Sequence, residues 1–142
     1  MKELGFKLVE LISLSLGLPG DRLSGFFKDP GSFIRINHYP SCPNPSQALG
    51  VGQHKDAGAL TILTQDDVGG LEVKRKTDGL WIPVKPTPNA YIINLGDILQ
   101  VLILSTLPHL NQKNKNICRL IHVCENVCRF GVMTHTRVWN TG

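Results

Sequence analysis

No run in this 142-residue chain approaches the roughly 18 consecutive apolar residues that a bilayer-spanning helix requires. A membrane-spanning protein is therefore not expected. Cysteine is scarce, and four of them are too few to staple a chain of this size as a disulfide scaffold. Aromatics reach only 6%, yet the 42% hydrophobic share can build a core, which excludes disorder over the whole length. The length allows one domain and is too short for two full ones. Acidic residues are almost missing from one end. Residues 101–142 hold Glu125 alone against five Lys and Arg, whereas residues 1–100 hold ten basic and ten acidic side chains. The net charge of +4 and the pI near 9.0 thus belong entirely to the tail. They give no ground for a nucleic-acid or membrane partner. Three of the four Cys and three of the five His also lie in that tail, so the composition changes near residue 100.

At the N-terminus, MKELGFKLVELISLSLGLPG has the look of a secretion signal. Glu10 interrupts its apolar run, however, and no small-x-small cleavage site follows. The spacing instead predicts an amphipathic helix burying Leu4, Leu8, Leu11, Ile12 and Val9 or Leu16, and ended by Gly17 and Pro19. A second short helix is expected from about Asp21 to Lys28, burying Leu23, Phe26 and Phe27. With no targeting signal, the cytoplasm is the expected location.

From Ser32 the texture turns to β. SFIRINHY reads as a half-buried strand carrying Phe33, Ile34 and Ile36, and the prolines of PSCPNPS force a loop after it. ALTILTQ reads as a strand, and GGLEVKRKTDGLWIPVK as a hairpin turning at Thr77-Asp78-Gly79. AYIINLGDILQV reads as a near-continuous buried strand with a bend at Gly96-Asp97. Several short strands with tight turns imply an antiparallel sandwich or barrel. Lys74, Arg75 and Lys76 read as a solvated hairpin face, since no aromatic platform interleaves with them. Gly69-Gly70 reads as a turn, Cys42 as a packed loop thiol, and His38 as structural or exposed.

The segment Gly50-Val51-Gly52-Gln53-His54-Lys55-Asp56 carries the chemistry. In extended backbone, residues two apart point to the same side, so the His54 imidazole and the Asp56 carboxylate can grip one metal ion. Two His and one carboxylate on one face of an octahedron form the triad of non-haem iron(II) oxygenases, which leaves three positions open. A His-x-Asp triplet also occurs as a surface pair near a turn, and the spacing alone leaves both readings open.

The surrounding sequence is more specific. RINHYPSCP (35–43), ALGVGQHKDAGALTILTQDDVGGLEV (48–73) and DGLWIPVKPTPNAYIINLGDILQV (78–101) closely resemble the plant iron(II)- and 2-oxoglutarate-dependent dioxygenases. Flavonol synthase, flavanone 3-hydroxylase and the gibberellin oxidases belong to that family, and the resemblance runs from about Met1 to Val101. It implies a mainly β fold with N-terminal helices, here a partial double-stranded β-helix (jelly roll) that is incomplete. It also implies that His54 and Asp56 are two of three iron ligands. Tyr39 would bind the far carboxylate of 2-oxoglutarate through its hydroxyl, and Asn37 would help position that co-substrate. The implied activity is hydroxylation or desaturation of a small organic metabolite with O2, releasing succinate and CO2. The implied cofactors are Fe(II) and 2-oxoglutarate.

After Val101 the resemblance stops. The family carries its third ligand in a segment like W-S-N-x-x-Y-x-S-x-x-H-R and binds 2-oxoglutarate through a later R-x-S, and neither is present. Cys118, His122, Cys124 and Cys128 match no common zinc spacing, and His109 is a weak substitute for the lost ligand. Residues 129–142, RFGVMTHTRVWNTG, have a synonymous coding that reads V-W-S-N-D-T-Y-E-S-V-E-H-R in a neighbouring frame. The codons of Val101 and Arg129 can also supply the GT and AG ends of an intron. Three segments are therefore expected. They are a helical stretch over 1–30, a partial dioxygenase core over 31–101, and an aberrant, disordered tail over 102–142 from a retained intron and a frameshift. A truncated chain of this kind is expected to be inactive; the alternative is a non-catalytic isoform that binds metal or a partner.

Overall fold

The computed structural model describes residues 1–27, 31–48, 50–106, 128–130 and 137–141. The first element is α1 (Lys2–Ser15), which ends as its sequence demands. Gly17 adopts φ +76, a left-handed conformation that costs glycine little. The Gly17 and Leu18 amides donate to the carbonyls of Leu14 and Ser13, closing off the helix C-terminus. Val9, Ser13 and Leu16 form its buried face, so the apolar stripe is rotated from the expected one and Leu11 is exposed. Ser13 is tolerated in that face because its hydroxyl donates to the Val9 carbonyl at 3.0 Å and accepts from the Leu23 amide. The second helix shrinks to a 3₁₀ turn at Ser24–Phe27. Leu23 is buried beside it, whereas Phe26 is exposed, contrary to expectation.

The strands are β1 (Ile34–His38), β2 (Val51–His54), β3 (Leu60–Thr64), β4 (Leu71–Lys74), β5 (Trp81–Pro83) and β6 (Ile92–Leu95). Two short later strands, β7 (Cys128–Phe130) and β8 (Arg137–Thr141), complete the described set. They form two four-stranded sheets, ordered β1-β8-β3-β6 and β2-β7-β4-β5. The hairpin β4–β5 turns where expected, with Gly79 at φ +73, and every strand pair is antiparallel. This is the mainly β, partial jelly-roll class that the sequence implies.

Register assigns the faces of the first sheet. Directly opposed residues of antiparallel strands share a face. Leu60 and Ile62 oppose Leu95 and Ile93, while Thr61 and Leu63 oppose Asn94 and Ile92. The first set meets the helices, where Leu60 and Leu95 pack with Val9, Leu16, Leu23, Leu99 and Ile103. The second set faces the other sheet, where Leu63 and Leu71 are joined by Tyr39, Val51, Val84 and Ile92. Through the backbone of β8, Ile34 aligns with Ile62 and Arg35 with Leu63. Ile34 and Ile36 therefore lie on the helix side of β1, and Arg35, Asn37 and Tyr39 lie toward the second sheet. Phe33, Ile34 and Ile36 are exposed rather than half-buried, because the core cluster under α1 does not extend to β1.

The largest departure follows β6. AYIINLGDILQV is not one strand: it changes at Gly96 into α2 (Asp97–Thr106), which buries Leu99 and Ile103 against the sheet. Asp97 sits in the first turn of this helix, where a carboxylate opposes the positive end of the helix dipole. α2 thus runs across the boundary expected at residue 101. Within the stretch expected to be disordered, β7 pairs with β2 and β4, and β8 pairs with β1 and β3. Residues 107–127, 131–136 and 142 lie outside the described residues, and with them His109, Cys118, His122 and Cys124. Among the described residues, no helix is long and apolar enough to cross a membrane.

Candidate metal centre

His54 ends β2 and Asp56 follows in the turn toward β3. A bulge aims the imidazole. Val51 pairs with Phe130 and His54 with Cys128, so three steps along β2 match two along β7. One extra residue shifts the alternation, and Val51 and His54 are both half-buried while Gly52 and Gln53 between them are exposed. His54 Nδ1 lies 2.9 Å from the Gly52 carbonyl oxygen. A carbonyl can only accept, so this contact places a proton on Nδ1 and leaves the Nε2 lone pair free to bind.

Nε2 of His54 and Oδ1 of Asp56 stand 3.5 Å apart, with side-chain exposures of 32% and 13%. Neighbouring positions around a divalent ion with bonds of about 2.1 Å are about 3 Å apart, so one ion fits between these two atoms after a small adjustment. The other carboxylate oxygen, Oδ2, accepts a hydrogen bond of 3.0 Å from Asn94 Nδ2 on β6. A bond to an ionised acceptor is worth about 1.5–3 kcal/mol net. Among the described residues, no third His, Cys, Asp or Glu joins the pair to complete a three-ligand group. The residues present fit part of a metal site: two donors, correctly typed and converging.

Asn37 and Tyr39 lie on the face of β1 and its continuation that points toward the second sheet, and both are half-buried. Tyr39 packs in the same apolar cluster as Val51 of β2 and Ile92 of β6, the strands that carry His54 and Asn94. Burial pushes the Tyr39 phenol above its ordinary 10.0, and the positive charge of Arg35 opposes that rise. The four residues singled out by sequence therefore fall into two groups. His54 and Asp56 are brought into direct proximity, whereas Asn37 and Tyr39 share a sheet face with Asn94.

Asn94 was not singled out from sequence. Its signal is a lone amide between Ile93 and Leu95 in an apolar run, where a polar group is stable only if it is hydrogen-bonded. The other candidates stay structural. His38 is exposed, Cys42 is a free and half-buried thiol, and Gly69 and Gly70 take the positive φ values of a turn. Lys74 lies over the Trp81 ring, and Arg75 pairs with Asp78.

A model of the 2OG-Fe(II) oxygenase superfamily matches residues 30–113. Gibberellin 20 oxidase 2 of Oryza sativa subsp. indica is 52% identical over 102 residues, covering 72% of this chain and 26% of that protein. Protein DMR6-LIKE OXYGENASE 2 of Arabidopsis thaliana is 40% identical over 134 residues, covering 94% of this chain and 36% of that protein. Among solved structures, JOX2 in complex with 2OG, Fe and JA superposes with a TM-score of 0.75 at 34% identity. That match covers 98% of this chain and 37% of the other. The chain thus spans about a quarter to just over a third of the length of these relatives.

Proposed function

The chain belongs to the 2OG-Fe(II) oxygenase superfamily, and from that membership we propose that it carries the His-and-carboxylate half of an iron(II) site serving 2-oxoglutarate-dependent oxidation of a small organic molecule. The observation that carries the reading is the convergence of His54 Nε2 and Asp56 Oδ1 at 3.5 Å at the end of β2. Bound iron(II) supplies activation of O2 coupled to decarboxylation of 2-oxoglutarate, so that one oxygen atom leaves in succinate and the substrate is hydroxylated or desaturated.

The protein's own part is binding, orientation and exclusion of water. His54, held by the Gly52 carbonyl, offers Nε2, and Asp56 offers a carboxylate oxygen. Tyr39 keeps its proton well into alkaline solution, so its hydroxyl is a donor for the far carboxylate of 2-oxoglutarate, and Asn37 lies on the same face to hold that co-substrate. Leu63, Leu71, Val51, Val84 and Ile92 pack with Tyr39 in one apolar cluster. Among the described residues no third ligand joins the pair, so turnover is assigned to a form that has one and metal binding to this chain.

Anaerobic calorimetric titration of the full chain with Fe(II) tests this. One ion should bind per chain, and His54→Ala or Asp56→Ala should abolish that binding. Equal binding by wild type and both variants would overturn the reading. Tight binding without any turnover favours the non-catalytic isoform, whose role is to hold metal.

A further inference from the structure

The two oxygens of Asp56 have different neighbours. Oδ1 faces His54 Nε2, and Oδ2 accepts from the Asn94 side-chain amide at 3.0 Å. Asn94 is half-buried on the face of β6 that points toward the second sheet, and its register opposite Thr61 fixes where its amide points. The backbone of Asp56 is tied to the same corner. Its carbonyl accepts from the Asp97 amide at 2.9 Å, while the Gly96 amide donates to the Ala59 carbonyl at 2.9 Å. Main chain and side chain of Asp56 are thereby anchored within four residues of one another, on α2 and on β6.

A carboxylate with both oxygens free can rotate, and can take a metal through one oxygen or both. We infer that Asn94 is a positioning residue for Asp56. By holding Oδ2 it commits Oδ1 to the side of His54, so that the metal is bound through a single oxygen and its other positions stay open for the co-substrate and O2. The inference rests on the reading of His54 and Asp56 as metal ligands and adds a residue that touches no metal. Its chemistry requires a side chain that donates without carrying charge. Asn meets that requirement, and a carboxylate in the same place would repel Asp56.

Cobalt(II) is the probe, because its visible absorption reports coordination number and geometry as well as affinity. Full-length wild type, Asp56→Ala, Asn94→Val, Asn94→Gln and Ile93→Ala are titrated with Co(II), and their melting midpoints are measured without metal. Ile93 lies on the same strand but packs on the helix side, so Ile93→Ala weakens β6 without touching Asp56. The expected result is about tenfold weaker binding and a displaced absorption band for Asn94→Val. Asn94→Gln, which keeps the amide on a longer arm, should recover part of both. Ile93→Ala should melt lower yet bind as wild type does. Wild-type affinity and spectrum in Asn94→Val would overturn the inference, as would a parallel loss of affinity in Ile93→Ala. Identical binding by wild type and Asp56→Ala would overturn the site itself, which is a separate result. If Asn94→Val does not fold, Asn94→Ala, which also removes the donor, provides the same comparison.

Discussion

A side chain on Gly96 would collide with the main chain of the turn that carries Asp56. Its Cβ would sit 2.8 Å from the carbonyl oxygen of Asp56 and closer still to that of Gly58. This close approach lets the opening of α2 bond to the turn. The Asp97 and Ile98 amides, which have no partner inside the helix, donate to the carbonyls of Asp56 and Gly58. Gly96→Ala should therefore destabilise the fold by at least about 1–3 kcal/mol, the usual cost of overpacking, because backbone has to move. The check is the denaturant midpoint, together with Co(II) affinity, which should fall as the turn shifts. An unchanged midpoint would show that the corner is loose.

How far the site was legible from sequence follows from distance along the chain. His54 and Asp56 lie two residues apart, so their shared direction is a local property. Asn94 is 38 residues from Asp56, and only the β3–β6 register brings them together. The bulge that turns His54 inward is equally hidden, since counting an extra residue requires knowing the partner strand. The change from β6 to α2 is hidden because a short apolar run has no period that separates strand from buried helix. Asp97 after Gly96 was the available clue, an acidic residue where a helix can begin.

Turnover by this chain should be negligible. Among the described residues only two donors converge, and two hold iron(II) less firmly than three. Succinate is the readout, measured with Fe(II), 2-oxoglutarate and O2 against Asp56→Ala. Succinate formation clearly above that control would contradict the prediction.

Tyr39 should stay protonated beyond the ordinary phenol range. Its folded value is raised above 10.0 by burial. Its contribution to stability is therefore complete below pH 10.0 and is lost as pH rises through the folded value. Tyr91 is the only other tyrosine, so in Tyr91→Phe the phenolate absorbance isolates Tyr39. Its midpoint should lie above 10.0, and Arg35→Ala should raise it further by removing a favourable positive charge. A midpoint at or below 10.0 would mean that the phenol is open to water.

The β4–β5 turn carries the opposite sign. Asp78 is held below 3.8 by hydrogen bonds from the Arg75 guanidinium and then from the Leu80 amide. Its stabilising effect is present above the unfolded value and disappears as pH falls through the folded one. Carboxyl NMR titration should give Asp78 a midpoint under 3.8, moving back toward it in Arg75→Ala. The pair is exposed, so the melting midpoint near neutral pH should barely change.

The coding sequence offers the last prediction. If residues 101–128 translate an intron, the Val101 codon begins with GT and the Arg129 codon contains the closing AG. Removing the block joins the Gln100 codon to a frame reading V-W-S-N-D-T-Y-E-S-V-E-H-R, which matches the missing family segment and includes its His. Met133 and Trp139 have one codon each, and both are compatible with that frame. Sequencing transcripts across the Gln100 codon decides the matter. The expected result is a spliced product with the restored frame, alone or beside the retained form. If the actual codons of residues 129–142 do not encode that reading, the tail is a different sequence altogether. The missing ligand would then have to come from elsewhere.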